Sequence, residues 1–227
     1  MTPYLNGVKI GSVMSPRTRP QPVAHAPYHH GDLRSTLLRE AEKMLRAQGI
    51  ETFSLRRLAE RSGVTAPALY HHFRDKNDLL CALAEIGFVD LDATITHAIG
   101  DHRGSERQRL QRFVMAYVGF AADRPEIYDL MFGRTIWKGG TPTESLRAVA
   151  YGTFRRYVEH AFAHVDPKAR AAAARNDKSA LRSAQVGWAT VHGLCRLLID
   201  GIYLKRADVG AMIEAAVDVL FAALNRT

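Results

Sequence analysis

Three residues suited to capping helices, Ser54, Thr65 and Asp75, fall close together in one stretch of the chain, with Gly63 between the first two. Each can accept hydrogen bonds from the amides that a helix leaves unpaired in its first turn. Caps this close leave room only for short helices between them. Gly63 supplies the turn, because a residue without a Cβ adopts left-handed backbone angles without penalty. Pro67 fits the same pattern, since a first-turn residue needs no amide hydrogen. Upstream, Leu33, Leu37, Ala41, Met44 and Leu45 recur at helical spacing, from a cap at Asp32 to a stop at Gly49. Downstream, Leu79, Leu80, Leu83 and Ile86 carry a further helix away from Asp75.

The order helix, helix, glycine turn, short helix is that of a helix-turn-helix, whose second helix enters the major groove of DNA. Ile50, Phe53, Leu55, Leu58, Val64, Leu69 and Phe73 can form the shared core. Leu69 and Phe73 lie four apart and face inward, which leaves Thr65, Ala66, Pro67, Ala68, Tyr70, His71 and His72 to be presented outward. The two histidines sit about 100° apart on a helix, so they cannot both face one metal. Tyrosine hydroxyl and imidazole N–H are donors suited to phosphate oxygens, and Lys76 adds positive charge at the next helix start. For His71 a plain capping role at a helix end is the alternative.

The charge is distributed unevenly. The 227 residues carry a formal net charge of +8; through residue 76, twelve Lys and Arg face six Asp and Glu, and beyond it nineteen face seventeen. Such asymmetry suits a polyanionic partner, nucleic acid before acidic membrane, or else a solvated basic surface. Cys81 and Cys195 stand far apart with no second cysteine nearby, so neither a zinc cage nor a disulfide framework is expected. The apolar run at 113–122 is too short to span a bilayer. No membrane partner is expected, and the location is cytoplasmic. Residues 1–27 hold Pro3, Pro16, Pro20, Pro22 and Pro27 with no apolar period, and read as a flexible arm.

From residue 77 onward the chain reads as helical throughout, with breaks at 99–105, 123–126, 137–143, 164–167 and 204–208. Residues 166–183 are alanine-rich and basic, a solvent-facing connection. The last helix carries a wide stripe of Val209, Met212, Ile213, Ala216, Val217, Leu220, Phe221 and Leu224. The fold class is all-α: a three-helix helix-turn-helix domain at 28–76, joined by a fourth helix to a C-terminal helical domain within 77–227.

Residues 33–85, above all "LYHHFRDKNDLL", closely resemble the DNA-binding domain of the tetracycline-repressor (TetR) family of transcriptional regulators. The resemblance implies that Thr65, Ala66, Pro67 and Tyr70 approach bases or their sugars, and that Ser54, His71, His72 and Lys76 hold phosphates. Ala66 and Pro67 lack hydrogen-bonding forks, so contact with thymine methyls and readout of DNA shape are expected. The "RPEIYDLMFG" and "GWATVHGL" segments resemble a subgroup with a Trp-x-x-x-His-Gly signature. By the same resemblance 77–227 is a ligand-binding and dimerisation domain, and its last two helices, about 179–204 and 207–225, pair in a homodimer, with Leu181, Trp188, Cys195, Leu198 and Ile202 suited to that face. An intramolecular core would use the same pattern.

Phe113, Tyr117, Phe132, Trp137, Tyr151, Trp188 and His192 are the candidates for an apolar pocket holding an apolar or aromatic small molecule, or for ordinary core. For His192 the competing role is a buried ring satisfied by a backbone carbonyl. The implied function is a ligand-responsive regulator of transcription, a dimeric repressor released from a palindromic double-stranded DNA operator by a small molecule. An activator of the same fold is the alternative, as is a helical binding protein or enzyme without DNA contact. No H-E-x-x-H, G-x-S-x-G or phosphate-cradling glycine loop occurs. No catalytic residue, metal ligand or cofactor is therefore expected.

Overall fold

A computed structural model describes residues 30–100, 104–162, 178–202 and 206–224. The arm at 1–27, the break at 164–167 and most of the 166–183 connection lie outside them. Every regular element among the described residues is helical: α1 (His30–Gln48), α2 (Leu55–Arg61), α3 (Ala66–His72), α4 (Lys76–Ile99), α5 (Glu106–Asp123), α6 (Pro125–Phe132), α7 (Arg134–Trp137), α8 (Glu144–Phe162), α9 (Lys178–Asp200), a 3₁₀ turn (Arg206–Asp208) and α10 (Val209–Leu224).

The three caps act as their chemistry requires. Ser54 accepts from the Arg57 amide at 3.3 Å, Thr65 from Ala68 at 3.4 Å and Asp75 from Asp78 at 2.8 Å. Gly49 (φ 72°) and Gly63 (φ 66°) make the expected left-handed turns, and Gly201 (φ 65°) makes another. Two boundaries differ from expectation. The first helix begins at His30, so Asp32 lies within its first turn instead of capping it, and α9 begins at Lys178, inside the stretch expected to be a connection. One break was not anticipated: Gly133 separates α6 from α7, where a Cβ would strike the carbonyl oxygen of Asp129.

Helices α1–α3 close over Leu37, Leu45, Phe53, Leu58, Leu69 and Phe73, each no more than a few per cent exposed. That core continues without interruption along α4, which α5, α6 and α8 surround, with α9 and α10 packed against α5. Helices α4 and α6 pack closely at Gly87, where an added Cβ would lie 2.6 Å from Ile127 Cγ2 and 2.7 Å from Met131 Sδ. No described helix is long and apolar enough to cross a membrane.

The stripe on α10 divides between two surroundings. Ile213, Val217 and Leu220 turn into the core, while Met212 and Val219, seven residues apart on one face, remain 40% and 65% exposed. On α9, Cys195 is fully buried and Trp188 turns inward, so neither belongs to an outer face; Val186 and Leu197 do. Leu198 is half-buried against the core and Ile202 is exposed, while the side chain of Leu181 lies outside the described set.

Candidate functional site

The short helix α3 stands on Leu69 and Phe73, buried at 0% and 1% exposure. Around that footing Thr65, Ala66, Pro67, Tyr70 and His71 are exposed and His72 is half-buried, whereas Ala68, expected to face outward, is half-buried against the core because it adjoins Leu69. The two imidazoles meet edge to face, 5.6 Å apart at 81°, so they do not converge on one ion. No cluster of three or more His, Cys, Asp or Glu able to hold a metal occurs among the described residues. Both cysteines are buried and free.

Lys76 has an internal partner as well. Its ammonium donates to the Ile50 carbonyl at 3.1 Å and lies 5.7 Å over the Phe53 ring, tying the α1–α2 loop to the start of α4. An ammonium has three N–H donors, so this bond leaves capacity for an external oxygen. Sequence reasoning passed over Arg57. It is exposed in the first turn of α2 beside Ser54, and its guanidinium has no ion-pair partner among the described residues. Most other arginines of the head do have one, as in Arg56–Glu60 and Arg61–Glu40.

A cavity of about 290 Å³ lies between α4, α5, α8 and α9, closed at one end by α6 and α7. Of the expected pocket residues, Tyr117, Phe132, Trp137 and Trp188 line it. Phe113 sits behind the wall, its ring 6.0 Å from Tyr117 and 5.1 Å from Tyr157. Tyr151 points away and is 70% exposed. The reason is helical phase: on α8 the residues Ala150, Thr153, Phe154 and Tyr157 form the inner stripe, and position 151 is a quarter-turn off it.

His192 also stays behind the wall. It stacks on Trp188 at 4.9 Å and hydrogen-bonds through Nδ1 to Tyr128 Oη at 2.6 Å, so its partner is a phenol and not a backbone carbonyl. Tyr128 Oη lies 3.5 Å from Tyr117 Oη, which accepts from Trp188 Nε1 at 3.0 Å. Burial pushes the Tyr117, Tyr128 and Tyr157 hydroxyls well above the ordinary 10, so all three stay protonated. Burial likewise lifts the Cys195 thiol to about 12.

Loss of solvent, and then the nearby Arg196 charge, hold His192 below its ordinary 6.5. A base with a lower affinity for protons when folded leaves the unfolded chain binding more protons as pH falls through 6.5. Stability is therefore complete above that pH and declines below it. Thermal melts between pH 8 and 5 should show this decline, and His192→Asn, which cannot titrate, should flatten it. An unchanged slope in the variant would remove His192 as the cause.

Helix α4 connects the two regions. Near the head, Asn77 Nδ2 donates to the Thr141 carbonyl at 2.8 Å while its Oδ1 accepts from the Thr141 amide at 3.2 Å. Thr143 Oγ1, which also caps α8, donates to Glu85 at 3.1 Å. Further along, Phe88, Leu91 and Asp92 line the cavity. Arg124 bridges Glu42 of α1 and Asp90 of α4 at 2.9 and 2.6 Å. Polar links and cavity wall thus share one helix with the head.

Residues 37–83 match the family model described as bacterial regulatory proteins, tetR family, and residues 110–220 match that of a tetracyclin repressor-like C-terminal domain. The tetracycline repressor proteins of class A, from transposon 1721, and of class C, both of Escherichia coli, are 51% and 52% identical over 51 and 52 residues, covering 22% and 23% of this chain. The match spans about a quarter of those relatives (24% in each). Among solved structures, a protein of unknown function from Rhodococcus sp. RHA1 is 33% identical, with a TM-score of 0.71 over 88% of this chain and 98% of its own. The fold is shared at 23% identity with TetR-Q116A from Acinetobacter baumannii AYE in complex with minocycline, with a TM-score of 0.55 over 85% of this chain and 96% of that one.

Proposed function

The chain belongs to the TetR family of bacterial regulatory proteins, and on that premise we propose that it is a dimeric transcriptional repressor that a small molecule releases from a palindromic DNA operator. One observation carries the reading: α3 buries only Leu69 and Phe73 and turns Thr65, Ala66, Pro67, Tyr70 and His71 to solvent. A helix so footed is free to enter a major groove. Ser54, His71, His72 and Lys76 serve as phosphate contacts, with Arg57 beside them. The uncharged tips of Ala66 and Pro67 favour thymine methyls and local DNA shape over hydrogen-bond readout.

The partly exposed apolar residues Val186, Leu197, Met212 and Val219 on α9 and α10 support a dimer through those helices. The Trp188-x-x-x-His192-Gly193 signature marks the subgroup. The stacked Trp188 and His192 then act as a fold determinant behind the cavity. Two reading helices about 34–36 Å apart would meet one face of B-form DNA. A ligand in the cavity presses on α4 and changes that separation. Its differential affinity for the two arrangements limits the response, and reversing a 1:99 balance takes about 5.5 kcal/mol.

Band shifts on the chain's own upstream region test the reading. The wild type should bind a palindrome there as a dimer, and Tyr70→Ala should weaken that binding about tenfold or more while leaving the thermal melt unchanged. A Tyr70→Ala protein that binds as tightly as the wild type would take α3 out of the groove.

A further inference from the structure

We infer that the cavity selects a flat aromatic molecule that carries a positive charge, an arylmethyl ammonium in its simplest form, and that the Asp92 carboxylate recognises this charge. The inference rests on the ligand-sensing reading above and names the ligand class that reading leaves open.

The walls set the shape. Phe88, Phe132, Trp137, Phe154, Tyr157 and Trp188 place rings around about 290 Å³, near the lower end of the roughly 300–1,000 Å³ typical of ligand pockets. Such rings reward a flat apolar surface. The negative potential over an aromatic face, strongest in tryptophan, also attracts a cation.

Asp92 sets the sign of the charge. It is the one charged lining residue among those described, and its side chain is 24% exposed. Its Oδ1 accepts from Arg156 Nε at 2.8 Å, while its Oδ2 has no hydrogen bond to a described residue. Arg156 does not line the cavity, and its own side chain is 43% exposed. The guanidinium thus holds the carboxylate from outside the cavity, where water screens its charge. An occupant meets the carboxylate first, and attraction at the shorter distance exceeds repulsion from the farther, better-screened cation.

The neutral groups of the wall do not reverse this choice. Trp137 Nε1 donates to the Met131 carbonyl at 2.7 Å and Trp188 Nε1 to Tyr117 Oη at 3.0 Å, so neither is left to meet an anion. Thr153 Oγ1 is buried out of contact with the cavity. The Tyr157 hydroxyl has no hydrogen bond to a described residue, but a hydroxyl donates and accepts alike and so suits a ligand of any charge. An ionised carboxylate only accepts. An anion would face Asp92 with no free cation in the wall, whereas an ammonium brings donors alone.

The test uses the full chain and four probes: 2-naphthylmethylammonium, the neutral 2-naphthylmethanol, 2-naphthoate and naphthalene. Binding is read by calorimetry. Both tryptophans of the chain line the cavity, so a change in their emission reports occupancy of this site. The ammonium should bind tightest, about tenfold better than the alcohol, the ratio that a hydrogen bond to a charged group supplies, and the naphthoate weakest. Asp92→Asn should erase that margin, with unchanged naphthalene binding showing that the cavity is intact. Arg156→Gln, which frees the carboxylate of its guanidinium, should tighten ammonium binding by about threefold. Tyr157→Phe should keep the margin.

A margin that survives Asp92→Asn, weaker ammonium binding in Arg156→Gln, loss of the margin in Tyr157→Phe, or an ammonium that binds no better than the alcohol or the carboxylate would each overturn the inference. Operator band shifts with each probe separate this result from the sensing role. Ammonium binding through Asp92 with operator affinity unchanged would count against sensing and leave the ligand class standing. Operator release by the naphthoate or the alcohol in preference to the ammonium would keep sensing and refute the ligand class.

Discussion

Raising the salt concentration from about 50 to about 200 mM is expected to weaken operator binding about 10³-fold. The estimate starts from cations able to meet phosphates. Arg57 and Lys76 are two per head, and Arg74, 80% exposed at its side chain despite a loose contact to Asp78, is a third. Two heads then release counterions from about six phosphates, for a slope near −5 in log affinity against log salt. Arg57→Ala gives the cleanest confirmation. Its guanidinium holds no partner among the described residues, so the substitution should leave the melting temperature unchanged while lowering the slope by about two across a dimer. Lys76→Ala should lower the slope similarly but also destabilise the head, because the Ile50 carbonyl loses its donor. Affinity that is indifferent to salt would refute the phosphate roles.

The second large effect is on stability. Phe73→Ala should cost about 3–5 kcal/mol, the range for deleting a buried aromatic ring. Phe73 is 1% exposed, lies beneath the Arg34 guanidinium at 5.1 Å, and shares the floor of α3 with Leu69. Domains hold only about 5–15 kcal/mol in total, so losing this ring removes a large share of it and should greatly raise the unfolded fraction of the head at physiological temperature. Operator binding should weaken together with amide protection in α1–α3. The cavity is walled by α4–α9 and should still be occupied by its probes. Phe73→Leu, which keeps most of the volume, should be far milder. A Phe73→Ala protein with full amide protection in α3 would mean the ring is not the anchor proposed.

How much of this was legible beforehand follows the range of the forces involved. Ser54, Thr65 and Asp75 each cap within three residues of themselves, and Gly49 and Gly63 turn the chain where they stand. Reading α3 as a short helix with Leu69 and Phe73 inward needed nothing distant. The cavity was only half legible. Tyr117, Phe132, Trp137 and Trp188 reach it, but Tyr151 does not, and Thr153 and Asp92 drew no notice. Aromatic content marks a helix as partly buried without saying which face meets which neighbour.

Trp188 and Cys195 make the same point on α9. Spacing grouped them with Leu198 and Ile202 on one outward face, yet they turn to the interior, and the outer stripe runs through Val186 and Leu197. On α10 a single broad stripe splits between core and surface. The amino-acid order alone determined where α2, α3 and α4 start, and that a short, exposed helix rests on two buried side chains, because caps and turns act over a few residues. Only the packed structure decided which rings wall a cavity and that α4 carries both the head and the cavity wall. Those outcomes depend on where distant helices come to lie, which no local spacing encodes.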